Sequence, residues 1–205
     1  MPSPIAHTTA GYVVYRLSRA RRPEESLGQV GPFPRLLILT VGLSLLPDID
    51  SIAGLLLGDF GRYHNGPSHS LFVGLAAALL VGGIAWRARR AGFFHWFGIA
   101  LVCYHLHIIF DFFTIGRGVL LFWPLTSDRF QSPVKLFYGL RWSDGLISLS
   151  HVWTLLSELG FALLVVLGMH LLERKKSHFL SKRRGADCSS QSAPEKRGVG
   201  KCASG

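Results

Sequence analysis

The sequence has few cysteines and few acidic residues, and four of its long segments carry very little charge. Only three of the 205 residues are cysteines and no two form a CxxC pair. Neither a disulfide framework nor a cysteine-ligated zinc is therefore indicated. Asp and Glu together number 12, against 22 Lys and Arg, and charged residues make up only 17% of the chain. With 49% hydrophobic residues, the chain is more apolar than most soluble proteins.

The four charge-poor segments are apolar runs that cover residues 36–57, 70–86, 93–115 and 150–172. A helix that crosses the hydrocarbon core of a membrane needs about 20 mostly apolar residues. The runs also lack the polar face that a soluble helix shows every 3.6 residues. They predict an all-α, polytopic membrane protein with about four long apolar helices, the second run being near the short limit.

The basic residues are distributed unevenly between the segments that flank these runs. Segments 1–35, 87–91 and 173–205 together hold 17 of the 22 Lys and Arg residues. Because cytoplasmic segments collect Lys and Arg, we expect 87–91 and the C-terminal tail to be cytoplasmic. This pattern predicts a multi-pass membrane protein, with a helical membrane domain over 1–172 and a basic, disordered cytoplasmic tail over 173–205.

The tail begins with a basic cluster directly after the last apolar run, from Arg174 to Arg184. Such clusters attract anionic lipid head groups, so membrane lipids are the expected partners of the tail. A nucleic-acid partner is possible for a basic tail, but the role of fixing the topology is favoured.

Two carboxylates follow a proline inside the first apolar run, in the segment LLPDIDS. Pro47 removes a backbone donor and predicts a break in this helix. In extended backbone after such a break, Asp48 and Asp50 would point to the same side and could bind one cation. The alternative is that the Pro-Asp pair only ends one helix and caps the next. Two acids inside an apolar run favour the metal-ligand interpretation.

Two histidines flank a turn in HNGPSHS, between the first and second runs. Gly66 and Pro67 predict a turn that could bring His64 and His69 onto one ion, and imidazole is the commonest protein ligand for zinc. Ser68 or Ser70 could cap the helix of the second run.

The third run contains the segment CYHLHIIFDFF, in which His107 and Asp111 are four residues apart. On a helix the two side chains share one face, so they could chelate one metal ion or, alternatively, form a hydrogen bond that neutralises a buried carboxylate. His105 faces elsewhere and is expected to be a packing or supporting residue. The charge bias places Asp48, Asp50, His64, His69, His107 and Asp111 at one level, the outer side of the membrane.

One further histidine, His7, lies near the N-terminus, in a segment (4–17) that is too short for an ordinary span. We expect a short inserted helix that starts near the metal site and ends with Arg16 to Arg22 in the cytoplasm.

The order of these segments resembles a family of small inner-membrane, metal-dependent hydrolases, sometimes called LexA-binding inner-membrane-associated hydrolases. The matching pieces are PIAHTTAG, LLPDID, HNGPSHS, and HIIFDFFT followed by GVLLFWPLT, over residues 4–126. The resemblance implies a location in the inner (plasma) membrane, a helical membrane fold and a distant likeness to zinc-dependent phospholipase C. It also implies metal ligation by His7, Asp48, Asp50, His64, His69, His107 and Asp111. In that family the loop usually reads HRGxTHS, and PDID is often followed by His or Asp. Here Asn65 and Ser68 replace the Arg and Thr, and Ser51 follows the acids.

The function that these residues favour is metal-dependent hydrolysis of an ester or phosphoester, in which a metal-activated water attacks a small or lipid-like substrate. Zinc is the expected ion, with manganese or magnesium as alternatives. Asp48 or Asp50 is the expected general base, and Arg117 could hold a phosphate. The rival interpretation is a non-catalytic membrane protein with a structural metal or a buried polar cluster, which could also bind a regulatory partner. Seven candidate ligands exceed the four that a closed structural zinc site needs, which favours catalysis.

Overall fold

The computed structural model describes residues 3–21, 35–57, 64–89, 92–139 and 149–191. Within these ranges the regular elements are helices, and the only β-type pairing is two isolated bridges. The α-helices are α1 (Pro4–Arg21), α2 (Arg35–Leu45), α3 (Ile49–Leu56), α4 (Leu71–Arg89), α5 (Phe93–Phe112) and α6 (Leu149–Gln191). The all-α prediction is confirmed, including a short N-terminal helix.

Three segments of the described helices are long and apolar enough to cross a membrane. They are Leu71–Ala88 in α4, Phe93–Phe112 in α5 and His151–Lys175 in α6. Each corresponds to one of the predicted apolar runs. Their outward-facing side chains are largely exposed aliphatic and aromatic groups, as expected for surfaces that contact lipid.

The first apolar run differs from the other three because it is interrupted at the predicted position. α2 ends at Leu45, Leu46–Asp48 form a 3₁₀ turn, and α3 begins at Ile49. Pro47 lies inside the turn, where its missing N–H removes one helical hydrogen bond. With 11 residues in α2 and 8 in α3, neither piece alone has the length of an ordinary span.

The core lies between α1, α2, α4 and α5, which pack on one another through small and aliphatic residues such as Val14, Leu43, Ala78 and Ala100. Gly11 lets α1 approach α2 closely, since a Cβ there would lie 2.8 Å from the carbonyl oxygen of Thr40. Close backbone approach at small residues is the usual way for helices to pack in a membrane.

The connections at one end of the α4–α5 hairpin form a polar region. The loop 64–70 precedes α4, and the irregular segment 113–139, called here the cap segment, follows α5. The two are joined by the bond from Leu71 N–H to the Leu121 carbonyl (3.0 Å) and by the Ser70 hydroxyl, which donates to the Trp123 carbonyl (2.5 Å). The Ser70 hydroxyl also accepts from Phe72 N–H (3.1 Å), so it caps α4 as predicted.

α6 extends beyond residue 172, where the membrane domain was predicted to end, and continues to Gln191. Its residues up to Leu163 belong to one compact unit with the described residues that precede α6, and its residues from Leu164 onward belong to a second unit. The Lys and Arg residues after position 173 have high helix propensity, which lets the helix continue out of the apolar segment. Residues 192–205 of the predicted disordered tail lie outside the described residues.

Candidate metal centre

Four of the predicted ligands converge at the start of the α4–α5 hairpin and form what we call the inner group. Asp48 comes from the 3₁₀ turn after α2, His69 from the turn before α4, and His107 and Asp111 from the last turns of α5. The side chains of His69, His107 and Asp111 are fully buried, and that of Asp48 is 14% exposed. Three elements distant in sequence therefore meet at one point.

The spacing of the inner group matches that of ligands around a single ion. His69 Nε2 lies 2.8 Å from Asp111 Oδ2, 3.1 Å from His107 Nε2 and 3.7 Å from Asp48 Oδ1. His107 Nε2 lies 3.3 Å from Asp111 Oδ2 and 3.5 Å from Asp48 Oδ1. A tetrahedral site with metal–ligand bonds of about 2.0–2.1 Å has ligand–ligand edges of about 3.3 Å. The five distances scatter around that value.

The outer nitrogens of the two imidazoles have their own partners, which leaves Nε2 of each ring for a metal. His107 Nδ1 lies 2.7 Å from the Ser44 carbonyl, a group that has no helical partner because α2 ends at Leu45. His69 Nδ1 lies 3.1 Å from the Ser68 hydroxyl and 3.3 Å from Asp50 Oδ2. Such contacts fix the tautomer and orientation of a metal-binding histidine.

Asp50 belongs to a second set of side chains, the loop group, which consists of Asp50, His64 and His69. The backbone at Asp48 and Asp50 is helical rather than extended as expected, because Pro47 produces a 3₁₀ turn that leads directly into α3. The two carboxylates reach His69 from opposite sides, and both also lie near His64 Nδ1, with Asp48 Oδ1 at 3.6 Å and Asp50 Oδ1 at 3.1 Å. Asp48 faces Nε2 of His69 and Asp50 faces Nδ1 of the same ring.

The loop group is held by hydrogen bonds from the loop itself. Asp50 accepts bonds from the Ser68 hydroxyl (2.7 Å) and from Gly66 N–H (3.3 Å), and it lies 3.1 Å from His64 Nδ1. The hydroxyl of Ser51 is 2.7 Å from the same nitrogen. Asn65 has a φ of 56°, a left-handed conformation that asparagine tolerates better than most residues, and it allows the tight turn into Gly66.

His7 joins the cluster from α1, as the sequence predicted for a short helix that starts near the site. Its ring is fully buried and stacks on His107 with centroids 3.7 Å apart. His7 Nε2 lies 3.7 Å from Asp111 Oδ1. The seven predicted ligands thus lie together, with six in the two groups and His7 against the inner group.

Several buried polar atoms of this cluster make no hydrogen bond within the described part of the chain. They include both ring nitrogens of His7, Asp48 Oδ1, both carboxylate oxygens of Asp111 and His64 Nε2. Buried polar atoms in native proteins nearly always have a partner. Several of these unpartnered nitrogen and oxygen atoms converge at the inner group. Their lone pairs suit the coordination of a divalent cation.

In the metal-free protein the carboxylates also favour the protonated form of His69. Burial opposes the charge on the ring, but the neighbouring carboxylates of Asp111, Asp48 and Asp50 outweigh burial and hold the pKa of His69 well above its usual value. A proton on His69 therefore occupies part of the position that we expect a metal ion to take.

Two arginines support the loop from outside. Arg117 donates to the His64 carbonyl (2.6 Å), and Arg129 donates to the carbonyls of Asn65 (3.0 Å) and Gly118 (3.1 Å). Burial and the nearby Arg117 cation both lower the pKa of Arg129. The sequence pointed to Arg117 but not to Arg129, which follows a polar stretch with no motif.

Other residues that support the cluster carry no clear signal in the sequence. Ser44 acts through its backbone carbonyl, which no sequence motif marks, and Ser51 and Ser68 are common polar residues. His105 lies outside the cluster, as expected, with Nδ1 2.8 Å from the Leu101 carbonyl one turn earlier. Cys103 is buried with a free thiol and belongs to the helix core.

Comparison with known proteins identifies the family but not an activity. No curated protein and no solved structure matches the chain. The sequence profile described as YdjM inner membrane protein matches residues 1–176. The matched range is longer than residues 4–126, over which the sequence motifs resemble the family, and it includes the apolar part of α6. The chain therefore belongs to the YdjM inner membrane protein family.

Proposed function

We propose that this protein is a membrane-embedded, metal-dependent hydrolase that acts on an ester or phosphoester. The observation that carries the proposal is the inner group, in which donor atoms from three chain segments lie at the spacing of metal ligands. A purely structural zinc site is closed by four ligands. Here His7 and the loop group provide further donors, and the carboxylates of Asp48 and Asp50 are 14% and 13% exposed, which supports an open, reactive site.

The inner group would hold one divalent ion through Asp48, His69, His107 and Asp111. A neutral imidazole has one nitrogen lone pair for a metal, so His69 cannot serve the inner group and the loop group at once without losing its proton. A bound ion of this kind lowers the pKa of water and polarises an ester or phosphoryl oxygen. Imidazole ligands favour zinc, and the carboxylates would also admit manganese or magnesium.

The loop group suits proton transfer better than a second metal. Asp48 is engaged in the inner group and Asp50 accepts hydrogen bonds from the loop, so neither sequence candidate for the general base is as well placed as His64. Asp50 lies at Nδ1 of His64, while Nε2 of the same ring has no hydrogen-bond partner in the described residues. A carboxylate that orients a histidine in this way is the usual arrangement for a general base.

A substrate with a negative charge is supported by the two arginines at the outer edge of the loop group. The guanidinium groups of Arg117 and Arg129 both bond the 64–65 backbone, so they bring positive charge next to His64. Guanidinium groups suit phosphate. A site at one end of spans that face lipid favours a lipid-like phosphoester over a fully soluble one.

The proposed topology places the centre on the outer side of the inner membrane, with several passes and a cytoplasmic basic tail that contacts anionic head groups. It is supported by the basic residues in 1–35, 87–91 and 173–205. Both the loop 64–70 and the cap segment lie at the opposite end of the α4–α5 hairpin from the 87–91 connection.

Hydrolysis by the zinc-loaded, detergent-purified protein tests the proposal, with a chromogenic phosphodiester, a phosphomonoester and a carboxylic ester as substrates. The decisive variant is His64→Gln, which keeps the inner group intact. We expect it to retain metal and to lose about 10²–10⁴-fold in rate, the usual contribution of a general base. His105→Gln, on the same helix as His107 but outside the cluster, should match the wild type.

The rival non-catalytic function makes a different prediction for the same experiment. A structural metal site would bind zinc stoichiometrically in the wild type and in His64→Gln, with no hydrolysis of any of the three substrate classes above the rate with free zinc. That result would contradict the hydrolase proposal while leaving the metal centre intact.

A further inference from the structure

The apolar part of α6 contains a single acidic residue, Glu158, among the residues from 150 to 172. Its side chain is completely buried. A carboxylate in a membrane span is costly unless it has a polar partner, and such residues usually face the interior of the protein and carry a function. None of the metal-ligand segments includes Glu158.

Glu158 is bound to the first turn of α1. Its Oε1 accepts a hydrogen bond from Ser3 N–H (2.5 Å), and its Oε2 accepts from the Ser3 hydroxyl (2.5 Å) and from Ala6 N–H (3.1 Å). The first N–H groups of a helix have no partner within the helix, and Pro4 has no N–H to offer. A negative charge at this end also matches the direction of the helix dipole. One side chain on α6 thus caps the start of α1.

The residue after Ala6 is His7, whose position depends on where this turn of α1 lies. His7 has no hydrogen-bond partner at either ring nitrogen within the described residues, and it contacts the inner group through ring stacking on His107 and through Asp111. The ring also stacks on Phe110, so in the described part of the chain His7 is held by packing and by the position of the first turn of α1, and not by a side-chain hydrogen bond. Further along, α1 packs on α2, with a close approach at Gly11, and also on α5.

We propose that Glu158 is a positioning residue that holds His7 against the inner group, so that the last span completes the metal centre without contacting it. The effect of Glu158 on metal binding and catalysis rests on the proposed metal-dependent function. The placement of His7 by Glu158 is a property of the metal-free protein as well. α6 therefore contributes to the metal centre through Glu158, in addition to crossing the membrane.

The first test measures how accessible His7 is in the metal-free, full-length protein in detergent. Modification of histidines by diethyl pyrocarbonate is followed by mass spectrometry, with His178, which follows the apolar segment His151–Lys175 in sequence, as the internal reference. The variants are Glu158→Ala and Glu158→Gln, which keeps one acceptor oxygen but turns an N–H group toward the donors of Ser3 and Ala6. Ser3→Ala removes one of the three bonds to Glu158, together with the bond from Ile5 N–H to the Ser3 hydroxyl (3.3 Å), and it serves if the Glu158 variants fail to fold.

The matched control is Thr154→Val. Thr154 lies one turn before Glu158 on α6 and is equally buried, but its hydroxyl donates to the Gly139 carbonyl (2.9 Å) in the cap segment. We expect the His7 modification rate to rise about tenfold or more in Glu158→Ala through local opening of α1, less in Ser3→Ala, and not at all in Thr154→Val. Unchanged protection of His7 in all Glu158 and Ser3 variants would overturn the proposal.

The second test asks whether Glu158 acts on the metal through His7. In the zinc-loaded protein, Glu158→Ala should speed zinc dissociation about 10–100-fold, as loss of a supporting residue does. The double variant His7→Ala/Glu158→Ala should then dissociate no faster than His7→Ala, because two residues that act as a unit are not additive. Fully additive effects would contradict positioning and indicate general destabilisation. A wild type that holds no zinc would contradict the proposed function, and the His7 protection would still decide the positioning.

Discussion

The two ring nitrogens of His69 face two sets of side chains. Both sets contain carboxylates and imidazoles, but the polar atoms of the two sets differ in how many hydrogen bonds they make. On the Nε2 side, the inner group brings Asp48, His107 and Asp111 within 2.8–3.7 Å, and several of its polar atoms have no hydrogen-bond partner within the described residues. On the Nδ1 side, the loop group is bonded by Ser51, Ser68 and Gly66. Carboxylates and imidazoles alone therefore do not make a metal site. The two sides differ in how many lone pairs remain without a hydrogen bond: within the described residues the inner group keeps Asp48 Oδ1 and both Asp111 oxygens, and the loop group keeps His64 Nε2.

The largest effect is expected from removal of an inner-group imidazole. His107→Ala should weaken zinc binding more than about 100-fold, because it removes a ligand and not only a supporting group. His105→Ala is the control on the same helix and should leave zinc affinity unchanged. Zinc competition with a chromophoric chelator measures both, and equal affinities would contradict the assignment of the inner group.

The same substitution at two positions separates the two sides directly. Asp48→Asn should weaken zinc binding about as strongly as His107→Ala. Asp50→Asn should weaken it by only about 10–100-fold, the usual cost of losing a partner of a metal-bound histidine. If Asp50→Asn were the more severe of the two, the loop group would be the metal site.

Zinc binding should also depend on pH through His69. Protonated His69 competes with the ion, so affinity should fall by up to about tenfold per pH unit below the raised pKa and level off above it. The metal-free protein has the opposite dependence. Because the pKa of His69 is raised in the folded state, its contribution to stability is complete below the unfolded value and is lost as pH rises through the folded value. Unfolding and zinc titrations from pH 5 to 9 measure both trends, and His69→Gln should weaken them.

The smallest effect on zinc is expected from the packing of α1, which touches the inner group through His7 and does not form part of the loop group. In Gly11→Ala the new Cβ would meet the backbone of α2, which should lower the free energy of unfolding by about 1–3 kcal/mol and weaken zinc binding only severalfold. Gly98→Ala in α5 has open space around it and should be neutral or stabilising by up to about 1 kcal/mol. Equal behaviour of the two variants would show that α1 packing is irrelevant to the centre.

Much of the fold and of the cluster could be predicted because ionisable side chains are unusual in such an apolar sequence. Carboxylates and histidines inside apolar runs are conspicuous, and Pro47 marked the break in the first run. The uneven distribution of Lys and Arg also predicted that the polar segments share one level of the membrane.

The remaining features depend on three-dimensional contacts that local patterns do not encode. The positions of Asp48 and Asp50 on opposite sides of His69 follow from a 3₁₀ turn that a Pro-Asp pair does not specify. The Ser44 carbonyl orients His107 only because α2 ends one residue later. Glu158 was visible as a lone acid in a span, but its partner, the start of α1, lies more than 150 residues away in sequence.

The metal content of the purified protein tests the central claim most directly. Elemental mass spectrometry of the detergent-purified wild type should find about one divalent ion per chain, most readily zinc, and none in His69→Ala or Asp111→Ala, which both belong to the inner group. A wild type without stoichiometric metal, even after reconstitution with zinc or manganese, would contradict the account and leave a buried polar cluster in its place.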